Sequence, residues 1–317
     1  MIGNGIRARW AEGRAVINGW LSIACPFTAE IMAEQGYDAL TIDLQHGLVG
    51  YEVATTMLQA MRASGVTPLV RVPWLDPAHV MKALDAGAYG VICPMVNTRA
   101  DAERLVSYMR YPPDGVRSFG PTRAVLSAGA DYGRHADQEL LCLAMIETAE
   151  AFANLDEIVA TPGLDGVYIG PADLTLGLTG RRYPTGFDRE EPELVDAIRT
   201  ILDKAHAAGI RACLHNGTPA YAAKAVGWGF DLVTISNGPL YALNNLIAPD
   251  ARMDDGLLDV AVYDGLSDAA LAAYFVKTAG GQRVTDEHVH FYRTRRAILR
   301  SQSPMPEAVD KDEFVSE

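Results

Sequence analysis

Eight short apolar runs, each followed by a segment of helical periodicity, do most to limit what this chain can fold into. The runs are Gly19–Ala24, Ala39–Asp43, Thr67–Val72, Gly90–Cys93, Leu141–Ile146, Gly166–Ile169, Arg211–Leu214 and Leu232–Ile235. Between them the spacing predicts helices over Ala29–Gln35, Tyr51–Ser64, Pro77–Ala86, Arg99–Arg110, Ala149–Ala160, Pro192–Ala208 and Pro219–Gly227, many stopped by glycine. Strands buried on both faces read as continuous apolar runs, and parallel neighbours need helical crossovers. Eight such units predict a (β/α)8 TIM barrel. An open doubly wound sheet is the competing architecture, but Ala24-Cys25-Pro26-Phe27 has none of the glycine-rich turn that follows the first strand of such sheets.

A barrel of this kind takes about 250 residues, and the chain has 317. The expected division is a barrel domain over residues 1–249 and a C-terminal helical extension over 250–317. In the extension Ser267–Ala279 and a stretch around His288–Arg300 have helical patterns, and the acidic, proline-containing end is expected to fray. Tyr111–Asp137 breaks the repeat as a long loop, a length that in compact domains often signals function.

The net charge of −13, with no lysine- or arginine-rich block, excludes nucleic acid and anionic membrane surfaces as expected partners. Neither a signal-peptide core nor a run of about 20 apolar residues is present, so a cytoplasmic location is expected. Cys25, Cys93, Cys142 and Cys213 lie singly in or beside apolar runs without CxxC spacing and read as reduced, buried thiols.

Barrel chemistry collects where strands end. Here strand two ends in Asp43-Leu44-Gln45-His46-Gly47, strand three in Val70-Arg71-Val72, strand five in Glu147 and strand six in Gly170-Pro171-Ala172-Asp173. Two carboxylates, Glu147 and Asp173, on consecutive parallel strands would converge on one mouth as hard oxygen ligands suited to Mg²⁺ or Mn²⁺. Capping of the next helix is the alternative role for Glu147. Arg71 lies deep in an apolar run and needs an anionic partner, from protein or substrate. His46 is either a satisfied loop histidine or a proton shuttle. Gly170 permits close backbone approach, Pro171 sets the bend, and the amides that follow suit a small carboxylate.

Together with Gly87-Ala88-Tyr89-Gly90-Val91-Ile92-Cys93-Pro94-Met95-Val96, Tyr111-Pro112-Pro113-Asp114-Gly115-Val116-Arg117 and Ile146-Glu147-Thr148, these segments resemble the HpcH/HpaI aldolase family over roughly Asn18 to Pro249. The resemblance implies a metal-dependent pyruvate aldolase that reversibly cleaves a 4-hydroxy-2-oxo acid to pyruvate, or an analogue such as hydroxypyruvate, and an aldehyde. It implies Glu147 and Asp173 as ligands of Mg²⁺, Mn²⁺ or Co²⁺, with no organic cofactor. Arg71 would steady the keto oxygen, Gly170, Pro171, Ala172 and Asp173 would hold the carboxylate, and His46 would manage a proton through a bound water, helped by Asp43 and Asp85. In relatives the counterpart of Asp85 comes from an adjacent subunit, and a homo-oligomer, a hexamer built as a trimer of dimers, is expected. Gln45 departs from the family's usual glutamate. Phe119, Pro121, Arg123, Tyr132, Leu214 and His215 are acceptor-pocket candidates by placement, with Leu214 taken as substrate-binding.

No strand end identified carries a lysine for a Schiff base. A citrate-lyase-like lyase acting on acyl-CoA would need a basic rim, which the acidic composition does not offer. Oxaloacetate decarboxylation shares the enolate, and a non-catalytic metal-binding oligomer would need neither Arg71 nor His46.

Overall fold

The computed structural model describes residues 1–236 and two further strands, Leu258–Tyr263 and Val289–Thr294. The chain divides into two compact units, Met1–Ser236 and Asn237–Glu317. In the first, eight parallel strands close into a barrel in sequence order: β1 (Val16–Leu21), β2 (Ala39–Asp43), β3 (Thr67–Arg71), β4 (Gly90–Cys93), β5 (Leu141–Ile146), β6 (Gly166–Ile169), β7 (Arg211–Asn216) and β8 (Leu232–Ile235). Closure is made by β1 against β8, with Val16 opposite Leu232 and Gly19 opposite Ile235. The expected barrel is present, and five of its strands match their expected bounds.

The first strand lies three residues earlier than the apolar run suggested. Asn18 breaks that run, yet it is fully buried inside the barrel, where its amide donates to Thr234 Oγ1 at 2.8 Å and accepts from Thr41 Oγ1 at 3.1 Å. A buried amide is tolerable when both ends are satisfied. Helix α1 (Gly5–Ala11) had no sequence expectation. Asn4 caps it, and Trp10 closes the entry side of the barrel with its indole N–H on the carbonyl of Asp231 at 2.8 Å.

The crossover helices are α2 (Pro26–Ala33), α3 (Tyr51–Ala60), α4 (Pro77–Asp85) and α5 (Arg99–Met109), then α6 (Ala124–Ala128) and α7 (Tyr132–Glu139) within the long segment before β5. After β5 come α8 (Ala149–Ala153) and α9 (Leu155–Val159), then α10 (Pro171–Thr179), α11 (Pro192–Ala207) and α12 (Pro219–Trp228). The helix expected over Ala149–Ala160 is thus broken at Asn154, whose side chain donates to the carbonyl of Asn97.

Inward-facing side chains alternate along each strand. Leu69, Leu143, Met145, Tyr168, Cys213 and Leu232 pack into one buried cluster with Trp20 and Trp10. Above that apolar layer the next inward positions are Asp43, Arg71, Glu147 and His215, so the fold sets charge directly on top of a dry core.

In the second unit, β9 (Leu258–Tyr263) pairs antiparallel with β10 (Val289–Thr294), Leu258 opposite Thr294 and Tyr263 opposite Val289. This corrects the expected helix around His288–Arg300. Val289-His290-Phe291-Tyr292 is β-branched and aromatic, and strand pairing across the unit overrides a weak helical period there. The expected helix at Ser267–Ala279 lies outside the described residues.

Candidate active site

Asp43, the last residue of β2, accepts from Arg71 twice: Nε to Oδ1 at 2.8 Å and Nη2 to Oδ2 at 2.5 Å. Its remaining lone pairs take the amides of Gln45 (3.0 Å) and His46 (3.3 Å) and the indole of Trp20 (3.3 Å). Burial pushes the Asp43 carboxyl up, but the hydrogen bonds and charge of Arg71, with those two amides, hold it below the usual carboxylate range. The anion that Arg71 required is therefore first a protein group, with the guanidinium also lying over the Trp20 ring at 4.8 Å. Arg71 Nη1 makes no hydrogen bond among the described residues.

Glu147 follows β5 and is only 2% exposed. Its Oε1 accepts the amide of Met95 at 2.8 Å. Burial is the main influence on its carboxyl, raising it to about 7; the Met95 amide opposes this, the charge of Asp173 adds to it, and that of Arg71 opposes it. Asp173 is exposed in the first turn of α10 and has no ion pair among the described residues. Asp173 thus adds its negative charge to that of the buried Glu147, and neither carboxylate has an ion-pair partner among the described residues.

Gly170 shows why this approach needs glycine. A Cβ there would lie 2.7 Å from Glu147 Oε2 and 2.9 Å from the Met145 methyl. Pro171 then starts α10, and the amides of Ala172 and Asp173 precede the first intrahelical bond, from Leu174 to the carbonyl of Gly170. Orphan amides at a helix start form an anion site.

His46 is exposed in the loop after β2, tethered through its amide to Asp43, with its ring unpartnered among the described residues. Gln45 Oε1 is buried without a hydrogen-bond partner among them. The structure thus joins Asp43, Arg71, Glu147 and the Gly170–Asp173 segment at one mouth, with His46 on its rim.

Asp85, whose counterpart in relatives was expected to act from an adjacent subunit, and Leu214 do not face this mouth. Asp85 ends α4, and a crossover helix runs back against the strand direction, so Asp85 lies on the opposite face of its own barrel, bonded to Arg117 at 2.7 Å. Leu214 is fully buried and alternates with Cys213 and His215, which both face inward; its side chain therefore points outward under the helices. His215 is the β7 residue that faces the mouth, between Trp20 and Phe187 at ring distances of 4.7 and 4.4 Å. Phe119, Pro121, Arg123 and Tyr132 sit in the α5–β5 connection, also on the far face. That loop follows a helix rather than a strand, so these acceptor-pocket candidates do not reach this protomer's own mouth.

Met95 is the site residue that sequence reasoning did not single out. It has φ of 56°, the one described non-glycine residue with positive φ, and that conformation turns its amide onto Glu147. Strained backbone of this kind persists where the surroundings enforce it. Only Pro94 before it hinted at an unusual turn.

A family model described as HpcH/HpaI aldolase/citrate lyase matches residues 17–237, about 70% of the chain. The chain belongs to that family. Among HpcH/HpaI relatives, the hydroxypyruvate/pyruvate aldolase of Rhizorhabdus wittichii is 46% identical over 251 residues, covering 78% of this chain and 99% of the relative. A 4-hydroxy-2-oxo-heptane-1,7-dioate aldolase of Salmonella dublin is 36% identical, covering 65% of this chain and 78% of the relative. A crystal structure of an HpcH/HpaI aldolase/citrate lyase family protein from Burkholderia cenocepacia superposes with a TM-score of 0.68 at 31% identity, over 74% of this chain and 92% of that one. A second family model, described as a YegS C-terminal NAD kinase beta sandwich-like domain, matches residues 221–315. Its first part overlaps α12 and β8, which belong to the closed barrel.

HpcH/HpaI aldolases are generally dependent on a divalent metal, and the donor set here fits one. Glu147 Oε2 and Asp173 offer hard, like-charged oxygens with no competing cation among the described residues, and two carboxylates leave positions for water and substrate as Mg²⁺ prefers. No helix among the described residues is long and apolar enough to cross a membrane.

Proposed function

We propose that this chain catalyses reversible aldol cleavage of 4-hydroxy-2-oxo acids to pyruvate, or to hydroxypyruvate, and an aldehyde, with Mg²⁺, Mn²⁺ or Co²⁺ held by Glu147 and Asp173. The observation that carries this reading is the buried Glu147 carboxylate, raised to about 7 beside Asp173 and approached closely by Gly170. When bound, the cation supplies Lewis-acid polarisation of the 2-oxo acid's oxygens.

The chain's own groups do the rest. The N-terminal amides of α10 take the substrate carboxylate. Arg71, clamped by Asp43 through Nε and Nη2, presents Nη1 to the keto oxygen and stabilises negative charge there as the C3–C4 bond breaks. Asp43 is a positioning residue, because its lone pairs are already occupied. His46 is the group placed to move the proton between C3 of the resulting enolate, or the acceptor hydroxyl, and solvent. Asp85, absent from its own mouth, would serve a second copy of the chain, which supports a homo-oligomer, with a trimer of dimers as the specific expectation. The naming of the Rhizorhabdus relative supports hydroxypyruvate as a donor alongside pyruvate, and a cytoplasmic location follows from the same reading.

The test is exchange of pyruvate C3 hydrogens with deuterated solvent, followed by proton NMR. Exchange should require added Mg²⁺ or Mn²⁺, stop with excess chelator, and fall on the order of 10²-fold in Arg71→Lys, as when one oxyanion donor is removed. Full exchange in chelator would remove the cation from the reaction. Unchanged exchange in Arg71→Lys would make that residue structural.

A further inference from the structure

On the face opposite the mouth lies a cavity of about 170 Å³. Its walls are apolar: Leu58 and Met61 from the end of α3, Val66 at the entry to β3, and Ile2 and Tyr89 beside it. Arg62, Arg123 and Ser127 also line it.

These two arginines are unusual for this acidic chain. On the same face Arg7 and Arg110 share Asp165, Arg117 holds Asp85, and Arg211 holds Asp231. Arg62 and Arg123 have no carboxylate within ion-pair reach among the described residues, and both line the same cavity. Arg123 donates through Nη1 to the carbonyl of Ala86, a neutral acceptor, and its Nε and Nη2 have no partner among the described residues. Burial first, and the charge of Arg62 second, push its guanidinium below its ordinary pKa. The exposed Arg62 adds its charge to that of the half-buried Arg123, and an anion between them would relieve that repulsion and occupy the donors of Arg123 that have no partner among the described residues.

We propose that this cavity binds a small organic anion, its carboxylate between Arg62 and Arg123 and its apolar body against Leu58, Met61 and Val66. Ligand sites typically pair apolar walls with a few fixed polar groups, and a volume below the ~300 Å³ usual for drug-sized ligands admits one ring or a short chain. None of these residues is at this chain's own mouth; Gly87, which also lines the cavity, lies two residues from Asp85, so the cavity sits beside the face proposed to serve a second copy.

Benzoate is the probe, titrated into the full-length protein by calorimetry, with benzyl alcohol and inorganic phosphate as controls. One benzoate per chain should bind, benzyl alcohol should not, and phosphate should bind at least tenfold more weakly. Arg62→Gln with Arg123→Gln should lower benzoate affinity tenfold or more, whereas Arg71→Lys should leave it unchanged. Arg62→Gln alone, at an exposed side chain, should lower it several-fold and keeps the test intact if the double variant does not fold. No benzoate binding at millimolar concentration, equal affinity for phosphate, insensitivity to the Arg62 and Arg123 substitutions, or loss of binding in Arg71→Lys would each overturn the proposal. So would a change in oligomeric state of Arg62→Gln without benzoate binding, which would make a second copy's carboxylate the partner.

Discussion

The two ends of the barrel treat charge in opposite ways. On the entry face most charges are paired: Arg7 and Arg110 on Asp165, Arg9 on Asp38, and Arg211 and His206 on Asp231. These carboxylates stand just before strands and also accept backbone amides, as Asp165 does from Cys142 at 2.8 Å and Asp231 from Ala212 at 2.9 Å. At the mouth, Glu147 is buried within reach of the charge of Asp173, Met95 is held at positive φ, and Gln45 Oε1 and His215 Nε2 are buried without partners among the described residues. The entry face uses most of its charge to fix the strands, Arg62 and Arg123 at the cavity apart, whereas at the mouth neither Glu147 nor Asp173 has an ion-pair partner among the described residues. Barrels generally divide stability and chemistry between their two faces in this way.

Glu147→Gln should break the comparison most visibly. Turnover should fall on the order of 10³-fold or more, as when a group central to charge stabilisation is lost, while thermal stability should hold or rise, because a buried, repelled carboxylate is removed. Aldol cleavage rates and a melting curve in chelator check both halves. A large drop in melting temperature would place Glu147 among the structural charges instead.

Arg110→Ala is the converse. It strips Asp165 of a buried partner and should cost about 3 kcal/mol of stability by denaturant unfolding, with turnover of the folded fraction changed less than twofold. A tenfold loss of turnover without destabilisation would contradict the division.

The smallest expected effect separates two groups at the mouth by pH. Burial holds the His215 imidazole down to about 3, against an ordinary value of 6.5; the charge of Arg71 lowers it further and that of Asp43 opposes this. The unfolded chain therefore binds more protons in that window, so stability is intact above about pH 6.5 and falls as acid is added, by about 2 kcal/mol at pH 5. Glu147 has the opposite sign: raised to about 7, it contributes stability that is full below its ordinary 4.5 and lost as pH rises through 7. Urea titrations in chelator at pH 7 and 5 on His215→Gln should show a flatter acid limb than the wild-type chain. Identical limbs would mean that His215 is protonated or solvated in the folded state.

Much of this was legible in the chain itself. Continuous apolar runs and glycine-stopped helices are local patterns, and eight of them leave little but a closed barrel; the polar residues ending those runs, Asp43, Arg71, Glu147 and Asp173, follow from the same spacing because every parallel strand ends on one face. What the sequence did not carry was direction and pairing. Leu214 and His215 are neighbours in the chain, and only the strand's register on β6 and β8 sends one outward and the other to the mouth. Asp85 at the end of α4 and the loop around Phe119 after α5 lie on the far face of their own barrel, because each helix runs back against the strands, a placement that the residues themselves do not state. Arg71 needed an anion, and closure of β2 against β3, with Asp43 opposite Arg71, made that anion Asp43. The positive φ of Met95 has no local cause in its own side chain, and its amide meets a carboxylate that lies 52 residues away in sequence and comes within hydrogen-bond reach only when β4 and β5 pair.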